Sequence, residues 1–214
     1  MKVAMLGSAP GWNRAPFTDP EWECWALNDQ YQLLSPVQLS HVSRWFELHP
    51  DTENTRSRRP PDHWANLAAL TIPVYAFHDL PGIAEVRRLD IPPLIAAGRD
   101  YFACTCAYQI AVALVEGATA IGLYGIQFTG AREAVVERPC VEWWLGLAEG
   151  RGIPVTIEHD CEYGLGRQRY RYADQDGEER LQTFTHVYQH FAGSLTWLIG
   201  ETRRLMLAKT WDDD

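Results

Sequence analysis

The stretch that decides the fold is Lys2–Gly11, which has the sequence KVAMLGSAPG. Residues 3–6 form a short unbroken apolar run, which is typical of a strand buried on both faces of a parallel sheet. A glycine directly after such a strand lets backbone N–H groups approach a phosphate closely, and the helical turn expected to follow would add its dipole. Gly7 and Ser8 are therefore the first candidate ligand-binding residues. The stretch matches neither the GxGxxG pattern nor the P-loop pattern.

Further apolar runs of similar length follow along the chain, and helical patterns separate several of them. The predicted strands after Lys2–Leu6 are Glu23–Leu27, Arg44–Leu48, Pro73–Phe77, Ala120–Tyr124 and Ile153–Ile157. The clearest helix is predicted at about residues 105–116, with Gly117 as its stop, and another from Pro139 to Glu149. This alternation predicts an α/β protein over residues 1–157, Rossmann-like, with a mostly parallel sheet and helices on both faces.

Residues 158–214 form the second predicted part of the chain, a connecting loop followed by a long C-terminal helix. The loop, residues 158–177, is rich in glycine, aspartate and arginine. From Glu178 to Lys209, apolar residues recur three and four positions apart, which is the spacing of a heptad seam. Two interpretations stay open. The helix could hold a homo-oligomer together, or it could pack on the sheet of its own chain.

The composition is that of a globular protein, with 46% hydrophobic and 22% charged residues in a chain of 214. A net charge of −9 disfavours sequence-independent binding to the phosphate backbone of nucleic acid. The five cysteines have neither the spacing of a zinc site nor that of a disulfide framework. No apolar stretch is long enough to span a bilayer, and no signal sequence precedes the first strand. We therefore expect a cytoplasmic protein with no membrane partner.

Polar side chains follow the ends of the predicted strands. Five of them lie at or just past a strand end: Ser8, Asn28, His49, His78 and Gln127. In open α/β sheets the ligand binds in a crevice outside the carboxyl ends of the strands, where the strand order reverses. Gly7 and Gly125 belong to the same edge. The pattern favours a ligand crevice there, although ordinary loop composition would also place polar residues at strand ends.

Several longer motifs occur in a fixed order along residues 1–157. They are Gly7–Pro10 after the first strand, Trp25–Asp29, Trp45–Pro50, Thr105–Tyr108 and Glu116–Phe128. The ordered series resembles the bacterial sialyltransferases of glycosyltransferase family 42. It is also similar to their Rossmann-like relatives, including archaeal pterin diphosphokinase-like proteins and short phage-encoded glycosyltransferase-like proteins.

The resemblance implies roles for individual positions. Ser8 would contact the phosphate of a nucleotide-activated donor, Asn28 would bind the donor nucleotide, and Thr105 would lie near the base and ribose. Together with the strand-end residues, the predicted ligand-binding set is Gly7, Ser8, Asn28, Thr105, Gly125 and Gln127.

The chain also departs from the family at several positions. His49 stands where the family has an asparagine before a proline, Gln127 replaces an acidic residue, and Thr129 replaces a tyrosine. The family's catalytic histidine lies in a lid, and the corresponding segment here, Thr129–Arg138, contains no histidine.

The predicted catalytic residues therefore come from elsewhere. Glu133 or Glu137 could take a proton from an acceptor hydroxyl, and Arg132 and Arg138 could neutralise a leaving phosphate. Surface ion pairs are the alternative for these four. His49 is another candidate base, because imidazole exchanges protons readily near neutral pH, although it could simply be a structural hydrogen-bonding residue. The catalytic candidates are His49, Glu133, Glu137 and Arg138.

These residues predict a metal-independent, glycosyltransferase-like transferase that uses a nucleotide-activated donor and a hydroxyl acceptor. The acceptor could be a modified base in phage DNA or a glycan. The alternative is a protein that binds or sequesters a nucleotide without catalysis. A phosphotransferase is a third hypothesis, but it would need Mg²⁺ and more acidic ligands than the sequence offers. No metal is expected, nor any cofactor beyond the nucleotide or nucleotide sugar.

Overall fold

The computed structural model describes residues 1–130, 132–161 and 164–166, and this part of the chain forms one parallel sheet of seven strands. The strands are β1 (Lys2–Leu6), β2 (Trp22–Leu27), β3 (Val42–Phe46), β4 (Val74–Ala76), β5 (Val86–Arg88), β6 (Ala120–Tyr124) and β7 (Val155–Glu158). Every pairing between neighbours is parallel. The predicted Rossmann-like α/β class is confirmed. The predicted C-terminal helix and its heptad seam lie outside the described residues, as does most of the connecting loop.

Six α-helices connect the strands in the described part of the chain. They are α1 (Pro36–Leu39), α2 (Glu53–Arg56), α3 (His63–Ala68), α4 (Ile91–Ala96), α5 (Thr105–Val115) and α6 (Arg138–Gly150). One turn of π-helix, Glu133–Glu137, leads directly into α6, and Pro139 lies in the first turn of α6 as predicted. Among these helices, none has the length and apolarity needed to cross a membrane.

The core lies on both faces of the sheet. Val3 and Met5 of β1 belong to the cluster that packs under α5 and α6, whereas Ala4 and Leu6 belong to the cluster on the opposite face. All four side chains are completely buried. A strand that is covered on both sides needs no polar alternation, which explains the unbroken apolar run at the start of the chain.

Strand β2 begins one residue earlier than predicted, at Trp22, and four larger differences occur in other strands. Strand β5 was not predicted, because two of its three residues are arginines and it lies at the sheet edge, where charge is favoured. Strand β3 begins earlier than predicted because Val42 pairs with Cys24, and the strand ends at Phe46. Strand β4 is shorter than predicted, and β7 is shifted towards the C-terminus. The parallel α/β class is unaffected by these differences.

The strand order reverses at β1. The order across the sheet is β5-β4-β3-β2-β1-β6-β7, so β2 and its successors extend to one side of β1 while β6 and β7 extend to the other. The connections on either side of β1 leave from opposite faces, which opens a crevice at the carboxyl ends of β1 and β6.

Candidate functional site

A cavity of about 320 Å³ opens at this reversal point. The ends of β1, β2, β3 and β6, the first turn of α5 and the π-helical turn enclose it. Its lining includes nine of the ten predicted site residues, namely Gly7, Ser8, Asn28, His49, Thr105, Gly125, Gln127, Glu133 and Glu137. The fold therefore brings together residues that are far apart in the sequence.

The arginines predicted to neutralise a phosphate do not line this cavity. Arg138, the tenth predicted residue, is mostly buried and donates from Nε to Glu142 Oε1, one turn along α6, at 2.7 Å. The side chain of Arg132 is 71% exposed and forms an ion pair with Glu137. Both guanidinium groups are thus engaged with carboxylates, and the pair of Arg132 is at the surface. His78, which also follows a strand end, lies outside the cavity lining too.

The two glycines at the strand ends are packed against each other. The Gly7 N–H donates to the Tyr124 carbonyl at 2.7 Å, and the Ala9 N–H donates to the Gly125 carbonyl at 2.9 Å. A Cβ on Gly7 would lie 2.6 Å from Ile126 Cγ1 and would also clash with the Gly125 carbonyl. These glycines therefore have a structural role in joining β1 to β6. Within the described chain, Ser8 keeps a backbone N–H without an acceptor.

The helix terminus at the cavity belongs to α5 and not to the turn after β1. The helical turn predicted there is a single 3-10 turn, Trp12–Arg14, and its residues do not line the cavity. Cys104, Thr105 and Cys106 form the N-terminus of α5 and line the cavity. The first N–H groups of an α-helix have no acceptor within the helix, and its N-terminus carries a partial positive charge. The α5 terminus is therefore suited to bind an anion.

Asn28 provides a preformed acceptor on the cavity wall. Its φ of 52° lies in the left-handed region, which asparagine tolerates better than most residues. Its N–H donates to the Phe46 carbonyl at 2.9 Å, and its carbonyl accepts from Trp45 Nε1 at 3.0 Å, so the backbone is fixed. The side-chain Oδ1 is buried and has no partner among the described residues. A ligand N–H or O–H would satisfy it.

Behind the cavity wall lies a completely buried carboxylate, Glu47. Its Oε1 accepts from the backbone N–H of His49 at 3.0 Å and lies 2.6 Å from His49 Nδ1. Its Oε2 lies 3.1 Å from His63 Nε2, and the Arg59 guanidinium is 3.8 Å away. A buried charge is tolerated only when partners of this kind surround it.

These contacts favour one tautomer of the His49 ring. Burial alone would raise the pKa of Glu47, but hydrogen bonds from His49 and His63 and the charge of Arg59 lower it to about 2. Nδ1 lies 2.6 Å from the ionised Glu47 and 3.1 Å from Arg59 Nη2, so the closer carboxylate favours the tautomer in which Nδ1 donates, and a neutral ring then carries its lone pair on Nε2. The His49 side chain is 47% exposed and lines the cavity. It can accept a proton from a bound hydroxyl.

Glu47, Arg59 and His63 were not among the predicted site residues. His63 lies outside the cavity lining, but it supports Glu47 from behind and its Nδ1 lies 3.0 Å from the Tyr31 hydroxyl. One signal was present in the sequence, since Glu47 is a charged residue inside the apolar run of a strand. Arg59 and His63 had no such signal, because only the fold brings them to Glu47.

The π-helical turn forms the wall that carries the two glutamates. Glu133 accepts the Gly130 N–H through Oε2 at 3.0 Å, and Glu137 pairs with Arg132. The pKa of Glu137 is raised above its ordinary value, mainly by burial and further by the nearby charge of Glu133. The charges of Arg132 and His49 oppose this shift but do not cancel it. Turns of π-helix occur frequently at functional sites.

Fold and cavity together define a Rossmann-like α/β protein with a polar crevice at its strand reversal. No protein-family model matches the chain, and neither a curated protein nor a solved structure is significantly similar to it. The resemblance to family 42 sialyltransferases and their relatives stays a prediction.

Acid stability is expected to depend on Glu47. Its folded pKa lies below the ordinary value, so its contribution is full above pH 4.5 and is lost as the pH falls towards 2. At neutral pH this shift corresponds to about 3 kcal/mol of unfolding free energy. In urea unfolding, the wild type should have a higher free energy of unfolding than Glu47→Gln at pH 7, and this difference should shrink at pH 3. A difference that does not change with pH would contradict this assignment.

Proposed function

We propose that this protein is a transferase that binds a nucleotide-activated donor in the cavity and passes the activated group to an acceptor hydroxyl. The observation that carries the proposal is the 2.6 Å contact between His49 Nδ1 and the buried Glu47, on the wall of a cavity that also contains a helix N-terminus. A base and an anion site thus belong to one crevice. The resemblance to nucleotide-sugar-dependent transferases supports the same function.

Donor binding is assigned to the α5 terminus and the neighbouring strand ends. The N–H groups of Thr105 and Cys106, together with that of Ser8, would bind the phosphate. The free Oδ1 of Asn28 would accept a hydrogen bond from the nucleoside. Because the described lining contains no lysine or arginine, its anion-binding groups are neutral donors, chiefly the backbone N–H groups of the α5 terminus.

The transfer step uses His49 as the base. The acceptor hydroxyl would give its proton to His49 Nε2 while its oxygen attacks the activated carbon of the donor. The bond from that carbon to the phosphate oxygen breaks, and the nucleotide leaves with the electron pair. Glu47 would stabilise the imidazolium that forms, and the α5 N-terminus would stabilise the leaving phosphate.

Nucleotide binding without catalysis is the second candidate function. The engagement of Arg132 and Arg138 with carboxylates favours it, because a leaving phosphate would then lack a cationic side chain from the described part of the chain. The two functions are distinguished by incubating the protein with a donor and an excess of simple alcohol acceptor. Release of free nucleotide indicates transfer, whereas recovery of intact donor indicates binding alone.

Titration calorimetry tests the nucleotide site directly. We expect CMP, UMP, AMP or GMP to bind to the wild type, and Asn28→Gly to weaken that binding by roughly tenfold through loss of one hydrogen bond. Glycine is the appropriate replacement because it tolerates the φ of 52° without strain. Chemical denaturation of the variant checks that the fold is intact. Equal affinity of the wild type and the variant would contradict the placement of the nucleoside at Asn28.

A further inference from the structure

We propose that Glu133 and Glu137 select the group that the donor carries, admitting neutral or cationic sugars and excluding sugars that bear a carboxylate. The inference rests on the proposed function, since it concerns the transferred group in the same cavity. It is carried by the charge of the lining side chains and by where they lie relative to the base.

The two glutamates lie on the reaction side of the cavity. A base must be within hydrogen-bond reach of the acceptor hydroxyl, so the activated carbon has to lie near His49. Glu133, Glu137 and His49 line one cavity of about 320 Å³, which is small enough to place a sugar at His49 beside both carboxylates. The transferred group is therefore the part of the donor that meets the π-helical turn.

Among the described residues, one of the two carboxylates on this wall has no cationic partner. In the described lining, the charged or titratable side chains are His49, Glu133 and Glu137, apart from the thiols of Cys104 and Cys106. Glu137 is paired with Arg132, but for Glu133 the contact found in the described chain is the uncharged Gly130 N–H. A sugar carboxylate at this wall would face like charge, with the positive end of α5 already assigned to the phosphate.

Neutral sugars fit the same wall well. Their hydroxyl groups donate hydrogen bonds, and a carboxylate is among the strongest acceptors for such donors. Glu133 and Glu137 would thus orient a neutral or amino sugar beside His49 through hydrogen bonds. Repulsion between two carboxylates a few ångströms apart in a partly hydrated cavity corresponds to roughly tenfold in Kd or more.

Matched ligands test the selection. We would measure Kd by calorimetry, without divalent metal, for UDP-glucose against UDP-glucuronic acid and for GDP-mannose against GDP-mannuronic acid. Each pair differs by one carboxylate, and UMP and GMP report the nucleotide site alone. If the site prefers cytidine, the Kd of CMP-N-acetylneuraminic acid is compared with that of CMP. We expect the wild type to bind the neutral member at least about tenfold more tightly, and CMP more tightly than its acidic sugar.

Variants test whether Glu133 and Glu137 cause the preference for the neutral sugar. In Glu133→Gln/Glu137→Gln the preference should fall to about twofold or less, because amides keep the shape but not the charge. Glu149→Gln, an exposed residue on α6 outside the cavity, is the matched control and should keep the wild-type preference. Equal affinities in the wild type, a preference for the acidic sugar, or a preference that survives in the double variant would overturn the inference. If UMP, GMP, CMP and AMP all fail to bind, the proposed function fails and the inference falls with it.

Discussion

Replacing His49 by glutamine is expected to lower the rate of group transfer by about 10²- to 10⁴-fold, the usual contribution of a positioned general base. The affinity for the nucleotide should change little, because the phosphate is assigned to α5 and the nucleoside to Asn28. The loss should therefore appear in kcat and not in KM. Release of nucleotide from the donor, in the presence of the acceptor, gives the measurement.

Glu47→Gln is expected to reduce the rate by a similar factor through a different cause. A glutamine amide can present an N–H to His49 Nδ1, which would favour the tautomer with the proton on Nε2 and remove the lone pair that accepts the substrate proton. Because the two residues act as one unit, the double variant should be no slower than the slower single variant. Denaturation curves establish that each variant is folded under the assay conditions.

His41→Gln is the matched control for this series. His41 is exposed, lies outside the cavity lining and follows α1 on the chain. Its replacement should leave the transfer rate at the wild-type value. A fully active His49→Gln protein would exclude His49 as the base and would make Glu137 the next candidate.

Gly125→Ala is expected to destabilise the protein more than alanine at Gly117 or Gly146 would. A left-handed backbone costs a non-glycine residue roughly 1–2 kcal/mol, and forced overpacking adds typically about 1–3 kcal/mol. At Gly125 both effects apply, because its φ is 68° and an added Cβ would clash with the Ala9 carbonyl and lie 2.8 Å from Trp12 Cβ. The cavity should also lose its ligand, since β1 and β6 would be forced apart.

The two other glycines separate these effects. Gly117 has a φ of 75° but open space around its added Cβ, so Gly117→Ala should show the conformational cost alone. Gly146 lies within α6 with open space and ordinary helical backbone, and Gly146→Ala should stabilise the protein by up to about 1 kcal/mol. Guanidinium unfolding of the three variants gives the comparison. A Gly125→Ala protein no less stable than Gly117→Ala would show that β1 and β6 can move apart freely.

Most of the fold was predictable because its central strands and long helices have strong local signals. Lys2–Leu6 and Ala120–Tyr124 have the predicted bounds, since each is an apolar run that ends at a glycine. Helix α5 combines an apolar face with a glycine stop. Strand β5 has neither signal, because an edge strand of Val86–Arg88 depends on its neighbour for pairing and not on its own apolar residues.

The site was predictable only in part, for a different physical reason. Residues at the ends of parallel strands meet at one edge whatever their separation in sequence, which is why Ser8, Asn28 and His49 could be grouped in advance. The support of His49 could not be predicted in the same way. Glu47 lies behind the cavity wall, and it is reached by Arg59 and His63 through packing that no sequence spacing encodes.

The spacing of the strand ends along the crevice sets the length of ligand that can contact all of them. Neighbouring strands are about 4.8 Å apart, so the ends of β6, β1, β2 and β3 cover roughly 14 Å, about the length of a nucleotide joined to one sugar. Each part of a ligand of that length would contact a different loop, and all these loops extend from one sheet. A change of base or of sugar could thus arise from substitutions in one loop, with the other contacts left in place.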